Sequence, residues 1–485
     1  MIGVLNKNKF QFGFLASVFI FSIGFAVYTE DFYLTAIPFI ILLFYMGWQH
    51  PNFLFFLLLL ALPFSFEYNF SSTLGTDLPD EPLMILVSIL FLFLGIYSKK
   101  IISKNILSHP LLILLFISIV WSVVAVVFSS EKLISVKYLL AKSWYIGAFV
   151  LAPIIVFRKK ENIKLAAVIL SGSLLLIAVI ALLRHSFNWF RFQNINEAVS
   201  PFFRNHVSYS AMLVCVIPIF YAFYQLNKKR KNKNLIKAAI LILLIALFFS
   251  YARGAWLALV AGAITYWLIK KKFLVITYFS TIIITISFLF WIKNEDRYLQ
   301  FANDYKTTIF HKDFGKHLIA TYQLKDVSTA ERFYRWIAGV RMIKDNWLTG
   351  YGPNTFYYNY KSYAIPTFKT WVSKNEDRST VHNYFLLTAI ESGIPGLFFL
   401  LLLLGAMLYY AQAIYHQAKD SFYKMASMTI GVIISMITVV NFLSDLIETD
   451  KIGSLFFLCL STLIVIDINS RKSSKSFSPY IESIS

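Results

Sequence analysis

Apolar stretches long enough to cross a bilayer recur along this chain, and they constrain its fold more than any other feature. A helix crossing the hydrocarbon core takes about 20 apolar residues. Such stretches lie near residues 11–28, 31–48, 52–66, 82–98, 110–129, 138–157, 164–183, 207–225, 234–251, 253–270, 272–292, 394–416, 422–441 and 451–467. The stretch 52–66 is short and fits a re-entrant segment as well as a span. Backbone polar groups in hydrocarbon must pair within the spanning segment. The expected fold class is therefore an all-α polytopic membrane protein with about 12–14 transmembrane helices. The composition agrees, with 58% hydrophobic and 14% charged residues and a mean hydropathy of +0.65 over 485 residues. A soluble domain carries about 25% charged residues.

The formal charge of +20 suggests nucleic acid, but its distribution excludes that partner. The basic residues fall in short runs between apolar stretches: Lys99, Lys100 and Lys104; Arg158 to Lys160 with Lys164; 228–234; Lys270 to Lys272; and Arg471, Lys472 and Lys475. All fall on one side of the membrane in this count, which the positive-inside rule makes cytoplasmic, with both termini there. The opposite connections are acidic or neutral: TED at 29–31, DLPDEP at 77–82 and SDLIETD at 444–450. One long polar segment stands on that opposite side. The expected organisation is a transmembrane bundle over 1–292 with about 11 spans, a large loop over 293–393, further transmembrane helices over 394–467 and a tail over 468–485. Cys215 and Cys459 lie inside apolar stretches, which excludes a disulfide framework or metal-ligand spacing. The first apolar run lacks a small-residue cleavage site and reads as a span.

At the end of the long polar segment stands VHNYFLLTAIESGIPG, 381–396. Ser379 or Thr380 caps a helix there, which runs to about Ser392 and stops at Gly393 and Pro395. This puts His382 in the first turn, on the side of Leu386 and Ala389. Two readings stand: a helix-start histidine bonded to backbone, or a base titrating near neutral pH. Within the segment, Ser328 to Glu331 fits a capping box. The helix it opens reaches about Asp345 and sets Arg332 and Arg335 on neighbouring positions, with Arg341 nearly opposite. GYGPN at 350–354 dictates a turn. The tyrosines that follow fit either sugar stacking or an interfacial belt. Arg253 lies between two apolar stretches with almost no loop, where an arginine needs water or a partner. Arg204 and His206 flank another span on the same face.

These motifs together resemble the O-antigen ligase and polymerase superfamily. His382-Asn383 followed by Gly393-x-x-Gly396 resembles the family signature at the end of its large periplasmic loop. Arg332-x-x-x-Trp336 and the turn carrying Gly350 and Gly352 resemble the helix and Gly-x-Gly-Pro-Asn turn upstream. YARGAWLALVAG resembles the span before the loop, with Tyr251-Ala252 where members often have a serine. The resemblance covers about residues 200–440 and does not separate ligases, chain polymerases and protein O-oligosaccharyltransferases.

The resemblance implies a GT-C-like, multi-pass glycosyltransferase of the bacterial inner membrane, with its site facing the periplasm. It implies transfer of a glycan from undecaprenyl diphosphate to an acceptor hydroxyl, a lipid A-core sugar or another glycan, with inversion, no metal and no cofactor. Arginine forks suit phosphate oxygens, so Arg253 and Arg332, with Arg335 or Arg204 as a third, are the expected diphosphate ligands. His382 is the expected general base. A transporter or flippase reading would call for internal repeats and broken helices at the midplane, and the sequence shows no clear repeat.

Overall fold

The computed structural model describes the chain apart from residues 1–12, 14–16, 26, 30–35, 70–74, 98–102, 294–326, 366–372, 376–378 and 477–485. The first third of the expected loop, and Lys99 and Lys100, thus lie outside the described residues. Each apolar stretch of the sequence carries helix. The principal helices are α1 (Ala36–Gln49), α2 (Pro51–Ala61), α3 (Asp80–Tyr97), α4 (Pro110–Val127), α5 (Lys132–Ile146), α6 (Lys160–Ser186), α7 (His206–Leu226), α8 (Arg230–Phe248), α9 (Arg253–Lys271), α10 (Leu274–Lys293), α11 (Val327–Asp345), α12 (Tyr384–Gln417), α13 (Ser421–Phe442) and α14 (Asp450–Ser476). One antiparallel hairpin, β1 (Phe66–Asn69) on β2 (Gly75–Leu78), pairs Phe66 with Leu78.

Among the described residues, eight helices are long and apolar enough to cross a membrane. α8 and α9 are as long, at 19 residues each, but carry basic residues at their ends. The chain is an all-α polytopic membrane protein. The stretch 52–66 forms a helix of 11 residues and a 3₁₀ turn at Leu62–Phe64. It is too short to cross alone, and its Leu54, Phe55, Leu58 and Leu59 are buried against protein.

Side-chain caps start several helices. His109 accepts the Leu111 N–H before α4, which has proline at its first position, as that position favours. Asn205 and Asp420 cap α7 and α13 in the same way. α14 is the central helix, with 89% of its membrane window buried, whereas α4 buries 22% and turns Phe116 and Val127 outward. A helix that is apolar all round belongs inside, and α14 sits against α13, α12 and the continuation of α5.

The polar contacts sort into two ends. At one, Lys160 pairs with Asp420, Arg471 meets Asp467 at 2.9 Å, and His416 meets the Ile269 carbonyl at 2.8 Å. The described basic runs gather there. At the other end lie the hairpin, α11, the start of α12 and the segment 443–450.

Candidate active site

His382 occupies a turn ahead of α12, not its first turn. Its φ is +52°, a left-handed conformation that no helical residue adopts. Asn383 is the N-cap of α12, accepting the Leu386 N–H at 3.0 Å. The expectation that Ser379 or Thr380 caps this helix is therefore corrected. Thr380 instead fixes the turn: its Oγ1 accepts the His382 N–H at 3.2 Å and donates to Asp445 Oδ2 at 2.6 Å. The other Asp445 oxygen lies 3.9 Å from His382 Nδ1, too long for a hydrogen bond but aimed at the ring.

α11 holds the backbone just before the histidine. Arg335 Nη1 donates to the Thr380 carbonyl at 2.9 Å, and Trp336 Nε1 donates to the Val381 carbonyl at 3.0 Å. Arg335 is 6% exposed and faces Glu331 at 3.5 Å, so its fork is engaged in holding this turn. Glu331 also receives the Ser373 hydroxyl. Arg332 stands one turn ahead of Trp336, close enough for its charge to act on both His382 and Asp445.

That charge sets the chemistry. Burial first, then Arg332 and Arg335, push the His382 imidazole from its ordinary 6.5 down to about 3. Burial disfavours the charged ring, and the guanidiniums disfavour a second positive charge beside them. At neutral pH the ring is neutral, able to accept a proton. Burial raises the Asp445 carboxyl, and the Glu448 charge adds to this against the pull of the Thr380 hydroxyl and Arg332.

Arg253 is the first residue of α9. A cation there runs against the helix macrodipole, so local helix energetics do not explain it. A side chain on the next residue, Gly254, would touch Leu443. The Tyr384 N–H donates to the Ser444 carbonyl at 2.9 Å. The start of α9 and the His382 turn therefore meet at the end of α13. Arg204 is placed differently. It is 65% exposed and meets Glu67 of β1 at 2.9 Å and Asp77 of β2 at 3.8 Å. His206 bonds Asn196 at 2.9 Å beside it.

The glycine motifs explain how the turn is framed. Gly350 and Gly352 have φ of +69° and +100°. This lets the Tyr351 and Gly352 N–H groups reach the Ile390 and Glu391 carbonyls at 3.0 and 2.9 Å. The Glu391 carboxylate then takes the Asn354 and Phe356 N–H groups at 2.8 and 3.1 Å. Gly393, at φ +69° and ψ 178°, breaks α12 where expected, and a Cβ there would collide with the Leu348 carbonyl. The helix resumes with Pro395 in its first turn. Gly396 lies beside Trp121, whose Nε1 donates to the Ser392 carbonyl at 2.8 Å. Among the tyrosines after the turn, Tyr360 is buried with Phe356 in a small core under α11 and α12, while Tyr358 stays exposed.

Sequence reasoning missed Asp445 and Glu448, reading their segment only as an acidic connection, and missed Glu391 inside its own motif. The spacing Asp445-x-x-Glu448 was the available signal.

The described chain is a many-pass helical membrane protein with a histidine set among arginines and a carboxylate. Residues 238–401, from within α8 to within α12, match the family model described as O-antigen ligase. About a third of the chain is thus similar to the O-antigen ligase family, whose members are glycosyltransferase-like enzymes using lipid-linked glycans in a membrane setting. No curated protein matches the chain. The matched region includes Arg253, Arg332, Arg335 and His382 and ends before Asp445.

Proposed function

We propose that this protein transfers a glycan from undecaprenyl diphosphate to a hydroxyl of a lipid A-core sugar, at the periplasmic face of the bacterial inner membrane. The observation that carries the reading is His382 held beside Arg332 in a turn that Arg335, Trp336 and Thr380 fix by hydrogen bonds. The acceptor hydroxyl gives its proton to His382 as its oxygen attacks the anomeric carbon. The bond from that carbon to the diphosphate breaks on the opposite face, so the anomeric configuration inverts. The diphosphate leaves with the bonding electrons, and Arg332 and Arg253 take up the developing charge in place of a metal.

The low basicity of His382 fits this sequence of events. In the free protein the guanidiniums weaken the base. A bound diphosphate offsets their field, so the ring regains basicity when donor is in place. Arg335 acts as a positioning residue, and Arg204 supports the hairpin.

The test uses purified protein, undecaprenyl diphosphate-linked glycan and lipid A-core. Wild-type protein forms the glycosidic bond, and His382→Gln binds donor as before without turning it over. Wild-type turnover by His382→Gln would remove the base assignment. On a lipopolysaccharide gel of a deletion strain, loss of long ladders with lipid-linked glycan accumulating marks a ligase. A core capped by one repeat marks a polymerase instead.

A further inference from the structure

At the end of the bundle opposite the His382 turn, α7, α8 and α9 gather positive charge with no acid of their own. Residues 228–237 carry six basic residues and 270–272 carry three more, and the sequence has no Asp or Glu from 198 to 294. Elsewhere at this end cations meet acids, as Lys160 meets Asp420 and Arg471 meets Asp467. In α8 and α9 they lie on tyrosine rings. Lys233 and Lys237 Nζ stand 5.0 and 5.5 Å from the ring centre of Tyr224 on α7. Lys270 Nζ of α9 stands 4.4 Å from the ring centre of Tyr266. Tyr266 packs edge-on against Tyr221 of α7, with the two hydroxyls 3.4 Å apart, and Gln225 donates to the Tyr221 hydroxyl at 2.8 Å. Tyr221 and Tyr224 are three apart, so α7 joins the two groups of lysines. A ring face attracts an ammonium but leaves its charge uncancelled.

α8 also starts against its own electrostatics. Three of its first four residues are Arg230, Lys231 and Lys233, where the macrodipole favours acids, and no side chain caps the helix. Helix-start N–H groups and clustered cations both call for an anion. On the membrane side of these cations, Leu241 of α8 and Ile264 and Trp267 of α9 are exposed.

We propose that this end of α7, α8 and α9 is a binding surface for anionic phospholipids of the adjoining leaflet. The basic side chains meet the phosphodiester, the tyrosine hydroxyls donate to its oxygens, and the acyl chains lie along the exposed apolar residues of α8 and α9. A soluble anion would use the cations and leave that apolar surface unused. The surface is independent of the glycan-transfer reading.

Native mass spectrometry of the full-length protein, released from detergent micelles, counts the lipids it keeps. Dioleoylphosphatidylglycerol should be held more tightly than dioleoylphosphatidylcholine, and the difference should shrink as ammonium acetate is raised. The protein carrying Lys233→Gln, Lys237→Gln and Lys270→Gln together should bind phosphatidylglycerol about a hundredfold more weakly, at about fivefold for each lysine removed. Its retention of phosphatidylcholine should not change. Where the triple variant fails to fold, Lys270→Gln alone decides: about a fivefold loss is expected, against none for Lys104→Gln, which removes an exposed cation outside the patch. Equal retention of the two lipids by the wild-type protein, or unchanged phosphatidylglycerol binding in the lysine variants, would overturn the proposal. Displacement of the lipid by inorganic phosphate at similar concentration would overturn it too, and would assign the patch to a soluble anion.

Discussion

The two sides of Asp445 differ in their ionisable groups. On one stand Arg332 and Arg335 of α11, with His382 held between them and the carboxylate. On the other stands a cavity faced by carboxylates and a single lysine. The arginine side is made by one helix and one turn, and its hydrogen bonds go to backbone carbonyls. The carboxylate side is assembled from α3, α5, α12 and the turn before α14. On the proposed reading, the arginine side is the one that suits an anionic leaving group.

The sharpest way to break the comparison is at the base. His382→Gln keeps a hydrogen bond but accepts no proton, so transfer should fall by about 10² to 10⁴ with donor binding unchanged. Loss of donor binding in that variant would move His382 into the arginine group. Next is Arg332. Arg332→Ala should lower transfer by about 10² to 10³, as removal of a charge-stabilising donor does, with Arg332→Lys recovering part because it lacks the planar fork. Equal activity in Arg332→Ala, in protein shown to insert, would empty the arginine side.

The pH profile sharpens the comparison further. In the proposed mechanism the neutral form of His382 is the active one, and burial and the two arginines push its pKa down to about 3 in the free protein. The acid limb of kcat/KM should therefore lie far below 6.5, leaving the profile flat through mildly acidic pH. The acid limb of kcat, which reports the donor complex, should sit at higher pH, because the diphosphate offsets the arginines. Arg332→Gln removes one of the charges and should raise the kcat/KM limb. A limb that stays in place in this variant would show that Arg332 does not act on the ring.

Trp336→Phe removes one hydrogen bond to the Val381 carbonyl, worth about 0.5–1.5 kcal/mol, so transfer should drop by roughly tenfold or less. Arg204→Ala should have the smallest effect, within about threefold, with the loss confined to stability, since an exposed pair is worth about 0–1 kcal/mol. Thermal unfolding and steady-state transfer on the same preparations separate the two.

Periodicity and residue type carried much of this protein. The apolar stretches dictated helices, because a backbone in hydrocarbon has no other way to satisfy its polar groups. The break at Gly393 and the turns at Gly350 and Gly352 were legible because glycine takes up positive φ without the cost of a Cβ. Arg332 and Arg335 were legible as neighbours because three residues on a helix bring side chains together. The turn at His382 was not legible. Asn383 and Thr380 both suit an N-cap, and what decides between them is the Asp445 carboxylate, which draws the Thr380 hydroxyl away from the helix start. Nor was the depressed pKa, since the fields of Arg332 and Arg335 and the burial of the ring arise only when α11 packs over the turn. Arg204 looked like its fellow arginines in sequence and differs because β1 and β2 place Glu67 and Asp77 against it. Local order follows from the chain's own periodicity. Which charges face each other across a membrane protein is decided by segments distant in sequence, and tertiary packing alone brings them together.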